Sequence, residues 1–149
     1  QNPRTLLRAI PAGKIKSSSA LLLATLAFGV MIGAVWQLPV ICKQLLPLAI
    51  LILVVYSYTK RFTYFSHFVL GGALGAAASG GWLAVSGEIS MQVVFWGLAV
   101  VFWVAGFDVI YAIQDVDFDR EHNLYSIPAR LGPEKSLLLS RGFHLKIVI

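Results

Sequence analysis

An acidic cluster lies at the end of a long apolar run in the second half of the chain. It holds five of the seven acidic residues of the sequence: Asp108, Asp115, Asp117, Asp119 and Glu121. If one helix continues through Asp119, a rotation of about 100° per residue brings three carboxylates and a phenol to one face, those of Asp108, Tyr111, Asp115 and Asp119, with Asp117 opposite. Crowded carboxylates repel unless a cation lies between them, and oxygen-only ligands favour Mg²⁺ or Ca²⁺. The cluster therefore predicts a site for a hard cation.

A calcium-binding loop is one alternative, because Asp115, Asp117 and Asp119 match the first three ligand positions of an EF-hand. The match fails further on. Arg120 occupies the position that needs glycine for the sharp turn, and Ser126 occupies the position of the bidentate glutamate.

A solvated helix end is the other alternative, and it suits Asp117 and Glu121. It does not suit Asp108, which lies one to two turns back in apolar sequence. A carboxylate at that depth costs about 2.5–3.5 kcal/mol, which a partner must offset, and it marks a functional site by default.

A basic counterpart ends an earlier apolar run. Tyr56 and Lys60 are four residues apart, which predicts that both lie on one helix face. In isolation they would be an interfacial tyrosine and a snorkelling lysine. Together with acids that hold Mg²⁺, the lysine would complete a binding site for a diphosphate. In such a site the metal bridges carboxylates to phosphate oxygens, and basic side chains neutralise the remaining negative charge. Arg4 and Arg8 would serve in the same way or anchor lipid headgroups.

The elements that must hold these groups are apolar helices. At 58% hydrophobic and 13% charged residues, the sequence predicts an all-α, polytopic transmembrane helical bundle. Four spans are expected, with an incomplete fifth segment after a polar loop at 115–135. Their ranges are 20–38, 44–58, 65–85, 91–111 and, for the incomplete segment, 137–149. Gly71 and Gly75 in the third span predict close helix packing.

The distribution of the basic residues indicates how the helices are oriented in the membrane. Nine of them fall on one set of alternate loops, whereas the other set has only Lys43 together with Glu88. The positive-inside rule therefore predicts a multi-pass protein of the cell inner membrane with its acidic loop on the cytoplasmic side. Because these residues flank apolar runs and form no patch, no nucleic-acid partner is expected. The single cysteine, Cys42, excludes an internal disulfide.

The remaining titratable side chains and the chain ends carry weaker signals. His67 and His144 are expected to be packing or interfacial residues, and His122 a loop residue, because none has a ligand partner at useful spacing. The chain opens without methionine and stops inside an apolar segment. It is therefore expected to be a single domain, residues 1–149, that is incomplete at both ends.

Three motifs together resemble a known family. Asp108-x-x-Tyr111-x-x-x-Asp115-x-x-x-Asp119 resembles the second aspartate motif of the UbiA superfamily of intramembrane aromatic prenyltransferases. Tyr56-x-x-x-Lys60 is similar to the YxxxK motif of that superfamily, and residues 2–13 are similar to the segment that follows its first aspartate motif. The amino-acid sequence of the acidic loop most resembles that of 4-hydroxybenzoate polyprenyltransferases and their menaquinone-pathway relatives.

The resemblance implies a bundle of about nine spans, of which roughly four and part of a fifth lie in this chain. It implies Mg²⁺-dependent transfer of a polyprenyl group from polyprenyl diphosphate to an aromatic acid acceptor within the lipid bilayer. The resemblance implies that Asp115 and Asp119 bind the metal, with support from Asp108 and Asp117. It implies that the catalytic residues are Asp115, Asp119 and Lys60, and that the substrate-binding residues are Tyr56, Lys60, Arg8, Tyr111 and Asp108. The first aspartate motif is absent, so this piece alone is expected to be inactive.

Two readings from other classes stay open on the residues alone. A membrane cation transporter or channel would use Asp108 and Asp115 as intramembrane ion sites, but it has no need for Tyr56 and Lys60 beside the acids. A structural membrane subunit leaves the acidic cluster unexplained.

Overall fold

A computed structural model describes residues 2–147. The regular secondary structure in that range is helical and includes no β-strand. The chain divides into two compact units, residues 1–38 and 39–149. The first unit has a short 3₁₀ helix, Pro3–Thr5, and then helix α1, Ser17–Val35. None of the residues of α1 is buried within the protein, as expected for an apolar helix that faces lipid. The expectation that residues 1–149 form one domain remains a prediction.

The second unit contains six further α-helices. They are α2 (Val40–Tyr56), α3 (Ser66–Ser86), α4 (Met91–Ala112), α5 (Val116–Glu121), α6 (Ile127–Leu131) and α7 (Pro133–Leu145). Helix α3 packs along α4, and α2 and α7 pack against α3 and α4 respectively. A 3₁₀ turn, Ile113–Asp115, joins α4 to α5, so that the chain from Met91 to Glu121 is helical throughout.

The predicted all-α membrane bundle is confirmed. Helices α1, α3 and the run from α4 to α5 are long and apolar enough to cross a membrane, and α2 is a shorter apolar helix of 17 residues. The helix bounds differ from those predicted by up to four residues. Among the four predicted spans the largest difference is at α2, which begins at Val40 directly after Pro39 and accommodates Pro47 in its interior.

The predicted polar loop at 115–135 is wrong, because local caps convert most of it into helix. The side chain of Ser126 caps α6 by accepting a hydrogen bond from the Ala129 amide at 3.3 Å. Gly132, with φ of 81°, then ends α6, and Pro133 opens α7. The expected fifth segment therefore begins at Pro133 instead of Leu137, ends at Leu145, and packs on α4. Its last two predicted residues lie outside the described range.

The small residues of α3 allow α3 and α4 to approach closely, as predicted. A Cβ atom added to Gly71 would lie 2.5 Å from the Val101 carbonyl oxygen, and one added to Gly75 would lie 2.7 Å from the Gly97 carbonyl oxygen. Ser79 adds a hydrogen bond from its hydroxyl to the Val93 carbonyl oxygen at 3.3 Å. This contact fixes α3 and α4 as a pair, and both helices supply residues to the site.

Gly71→Ala is expected to destabilise the complete protein by about 1–3 kcal/mol, because the new methyl group meets backbone that cannot rotate away. Gly72→Ala is the matched control, since a Cβ at Gly72 has nothing within 4 Å. Alanine also favours helix over glycine, so the control should be neutral or slightly stabilising. The midpoint of unfolding in detergent measures both variants. Equal midpoints would contradict the close α3–α4 contact.

Candidate active site

The central contact of the candidate site is an ion pair between two distant parts of the second unit. Lys60 Nζ donates to Asp119 Oδ2 at 3.0 Å and lies 3.4 Å from Oδ1. The side chain of Asp119 is 2% exposed, whereas that of Lys60 is 36% exposed. A carboxylate removed from water needs such a partner. The pair confirms that the acidic cluster and the end of α2 lie at the same end of this unit.

Lys60 lies in a 3₁₀ turn, whereas the sequence periodicity predicted that it continues an α-helix. Helix α2 ends at Tyr56, and a 3₁₀ turn, Thr59–Arg61, follows it. Tyr56 and Lys60 therefore do not share a face of one α-helix, contrary to the prediction. The buried hydroxyl of Thr59 donates to the Tyr56 carbonyl oxygen at 2.7 Å, and the Lys60 carbonyl oxygen accepts the Tyr125 amide at 2.7 Å. Tyr56 itself is half-buried and within electrostatic reach of Asp108.

A second charged contact lies beside the first. His67 Nδ1 and Asp108 Oδ2 are 2.7 Å apart, and the His67 Nε2 atom accepts the Ile127 amide at 3.2 Å. The imidazole is fully buried and the Asp108 side chain is 19% exposed. His67 thus links α3, α4 and the start of α6. The partner that Asp108 requires in apolar surroundings is this histidine.

The segment that follows α5 is docked by its own backbone. Asn123, with φ of 52°, adopts the left-handed conformation that asparagine tolerates, and it turns the chain after α5. The Leu124 amide then donates to the Asp119 carbonyl oxygen at 2.8 Å, and the next amide, of Tyr125, donates to Lys60. Tyr125 also packs edge-on against Tyr64, with ring centroids 4.8 Å apart. These contacts hold α5, and with it Asp119, against the end of α2.

The other predicted acids occupy different surroundings. Asp115 is buried at the end of the 3₁₀ turn, whereas Asp117 is exposed. The 3₁₀ turn rotates each residue by about 120° instead of 100°, so the assumed continuous α-helical face is interrupted. Within residues 2–147, no three His, Cys, Asp or Glu side chains are arranged to hold a metal ion. The metal roles of Asp108, Asp115, Asp117 and Asp119 remain predictions.

The donor chemistry nevertheless fits Mg²⁺ in one limited way. Mg²⁺ retains several waters and is usually held by one or two carboxylates together with substrate phosphates. Asp115 and Asp119 are oxygen donors four residues apart in sequence, at the end of the 3₁₀ turn and within α5. Their metal role remains a prediction.

Two concave surfaces adjoin these contacts. A polar pocket of about 260 Å³ lies beneath the docked segment. It is lined by Tyr64, Asp119, Arg120, Asn123, Leu124, Tyr125, Ala129 and Arg130. Arg130 lies over the Tyr64 ring, 4.9 Å from the centroid, and Arg120 Nε donates to the Ala129 carbonyl oxygen at 3.0 Å. Arg130 is thus oriented by Tyr64, and Arg120 is oriented by α6.

The second surface is an apolar groove of about 430 Å³ between α3 and α4. Leu70, Leu74, Trp103, Val104 and Phe107 supply its apolar lining, and Asp108 and Tyr111 supply its polar lining. The Tyr111 ring stacks on Phe107 with centroids 6.4 Å apart. The groove therefore joins a hydrophobic surface to the carboxylate that His67 holds.

Arg8, the remaining predicted substrate ligand, belongs to the first unit. Its side chain is exposed, and its backbone amide donates to the Thr5 carbonyl oxygen at 3.1 Å. Its substrate role remains a prediction.

The sequence pattern did not predict two parts of this contact network. It indicated that His67 is a packing or interfacial residue, which agrees with its complete burial, but it did not indicate the contact with Asp108. The placement of His67 in the first turn after the Lys60 segment was a usable signal, because the start of one helix adjoins the end of the preceding one. The pattern also missed the amides of Tyr125 and Ile127. Backbone donors carry no sequence signature, so no pattern could have found them.

Helices of membrane-spanning length, a buried ion pair and an apolar groove thus occur together in residues 39–147. The chain belongs to the UbiA prenyltransferase family, whose model matches residues 1–149.

Relatives and a solved structure agree with this assignment. A 4-hydroxybenzoate octaprenyltransferase of Janthinobacterium sp. is 34% identical over 146 residues, which cover 98% of this chain and 48% of the relative. A polyprenyl transferase of Aspergillus niger is 30% identical over 141 residues, covering 92% of this chain and 42% of the relative. The apo structure of a UbiA homolog from Aeropyrum pernix K1 matches with a TM-score of 0.90 and 37% identity, over 99% of this chain and 56% of that one. The chain spans about half the length of its relatives.

Lys60→Met is expected to destabilise the complete protein by about 1–3 kcal/mol, because it removes the ammonium group from the buried Asp119 carboxylate. A double variant, Lys60→Met with Asp119→Leu, should recover most of this loss, since neither charge then remains. The midpoint of denaturant unfolding is the measurement.

Lys135→Met is the matched control, because Lys135 is exposed on α7. Its effect should stay within about 0.5 kcal/mol. If Lys60→Met behaved like Lys135→Met, the Lys60–Asp119 pair would have no structural importance.

Proposed function

We propose that the complete protein transfers a polyprenyl group from polyprenyl diphosphate to a phenolic aromatic acid resembling 4-hydroxybenzoate, in quinone biosynthesis. The single observation that carries the proposal is the Lys60–Asp119 pair at the end of helices that also form an apolar groove. A polyprenyl diphosphate has the same two parts, a polyanion and a long hydrocarbon chain. The names of the relatives support the same chemistry.

Lys60 is the diphosphate ligand in this proposal. Its side chain is partly exposed and its ammonium group has three donors, so donors remain for phosphate oxygens while it neutralises Asp119. The Tyr125 amide fixes its backbone, so less conformational freedom is lost when the anion binds. Tyr56, at the end of α2, and Arg8 are further candidates to contact the substrates.

Mg²⁺ would be held by Asp115 and Asp119 and would neutralise negative charge on the diphosphate. Asp108 and Asp117 would support the site electrostatically. The hydrocarbon chain and the aromatic ring would be bound by side chains of the protein.

The groove between α3 and α4 would hold the hydrocarbon chain, with its allylic carbon near Asp108 and Tyr111. The bond between that carbon and the diphosphate oxygen breaks, and the diphosphate leaves with the electron pair. The phenolic ring attacks the electron-deficient carbon, a carbon–carbon bond forms, and the ring proton passes to an oxygen of the departed diphosphate. Negative charge from Asp108 stabilises the developing cation, and the apolar lining excludes water that would otherwise capture it.

The charge asymmetry of the loops supports an inner-membrane location with this site on the cytoplasmic side. There the diphosphate end of the donor can meet a water-soluble aromatic acid, while the hydrocarbon chain remains in the bilayer.

Asp115→Asn and Asp119→Asn in the complete protein are each expected to lower prenyl transfer by about 100-fold or more, because each removes a carboxylate that acts on the diphosphate site. Chelation of Mg²⁺ should abolish turnover, and added Mg²⁺ should restore it. The assay follows a radiolabelled prenyl donor into the aromatic product in proteoliposomes.

Glu134→Gln is the control for these variants, because Glu134 is an exposed acid on α7. It should retain full turnover. Unchanged turnover in Asp115→Asn and Asp119→Asn would remove the assigned roles. Cation flux without prenyl transfer would instead support an ion transporter.

A further inference from the structure

His67 is a buried histidine whose two ring nitrogens are both engaged. Its Nδ1 atom lies 2.7 Å from Asp108 Oδ2, and its Nε2 atom lies 3.2 Å from the amide nitrogen of Ile127. Its exposure is 0%. The imidazole therefore has no surface left for substrate, and it cannot exchange a proton with one directly.

The Ile127 amide determines which nitrogen carries the proton. A backbone N–H can only donate, so Nε2 must accept with its lone pair. The hydrogen of the neutral ring is then on Nδ1 and is donated to Asp108. A proton on Nε2 would oppose the Ile127 N–H group. The contacts thus select a single tautomer.

The two neighbours of His67 belong to different parts of the site. Asp108 lines the apolar groove between α3 and α4. Ile127 begins α6, two residues after Tyr125, whose amide holds the Lys60 backbone. One side chain therefore connects the groove carboxylate to the segment that docks against the diphosphate ligand.

We propose that His67 is a positioning residue: as the Nδ1–H tautomer, it orients the Asp108 carboxylate toward the prenyl groove and ties it to the segment from Tyr125 to Ile127. The inference rests on the function proposed above for the consequence of this orientation, but the tautomer and its contacts are independent of it. His67 acts through Asp108 and touches no substrate.

The direct test is nitrogen NMR of the complete protein labelled with ¹⁵N-histidine, with the His67 signal assigned by its loss in His67→Gln. The expected spectrum has a protonated Nδ1 and an unprotonated Nε2, and Asp108→Ala should shift the Nδ1 resonance. A proton on Nε2, on both nitrogens, or an Nδ1 signal insensitive to Asp108→Ala would overturn the proposal.

A kinetic test separates positioning from general stability. His67→Phe should lower kcat by roughly 10–100-fold, as loss of an outer hydrogen bond to a functional carboxylate does. His67→Asn has an amide N–H near the position of Nδ1, so it should recover most of that loss. His67→Phe combined with Asp108→Ala should be no slower than Asp108→Ala alone. His122→Phe, at an exposed histidine, is the matched control and should leave kcat unchanged.

The outcomes distinguish this inference from the proposed function. Equal, independent losses from His67→Phe in the native and Asp108→Ala backgrounds would overturn the positioning role while prenyl transfer stands. Absence of prenyl transfer in the unsubstituted complete protein would overturn the proposed function, and the NMR tautomer would still decide the contacts of His67.

Discussion

Two carboxylates near the end of the helical run from α4 to α5, those of Asp108 and Asp119, are each held by a side chain from another element. Removal of a carboxylate from water costs several kcal/mol unless a cation or hydrogen-bond donor replaces the lost solvent (roughly 2.5–3.5 kcal/mol at a helix centre). Asp119 meets this requirement through Lys60, and Asp108 meets it through His67. The two contacts join the end of α2 to α5 and the start of α3 to α4. The two charged contacts therefore connect α3, α4 and α5 with the end of α2.

Backbone groups complete this arrangement where side chains are insufficient. The segment after α5 has little secondary structure of its own, and its amides bond instead to Asp119, Lys60 and His67. Each of these bonds satisfies a polar group that would otherwise be costly near apolar surroundings. The segment, the ion pair and the α3–α4 groove consequently form one connected structure.

The features that were predictable from sequence depend on local periodicity. Apolar runs of sufficient length predicted the long helices, and the spacing of Gly71 and Gly75 predicted the close α3–α4 contact. In contrast, the end of α2 at Tyr56, the short helices α5 and α6, and the partner of His67 depend on caps and on contacts between residues far apart in sequence. Periodicity contains no information about such contacts, and a lone histidine has no spacing signal.

The central claim is that Lys60 joins Asp119 to a diphosphate at the end of the apolar groove. The most direct measurement is an experimental structure of the complete protein with Mg²⁺ and a non-reactive polyprenyl thiodiphosphate. In that complex, a phosphate oxygen is expected within hydrogen-bond distance of Lys60 Nζ, and the hydrocarbon chain is expected along Leu70, Leu74 and Phe107. A diphosphate bound away from Lys60, with the hydrocarbon chain outside the α3–α4 groove, would contradict it.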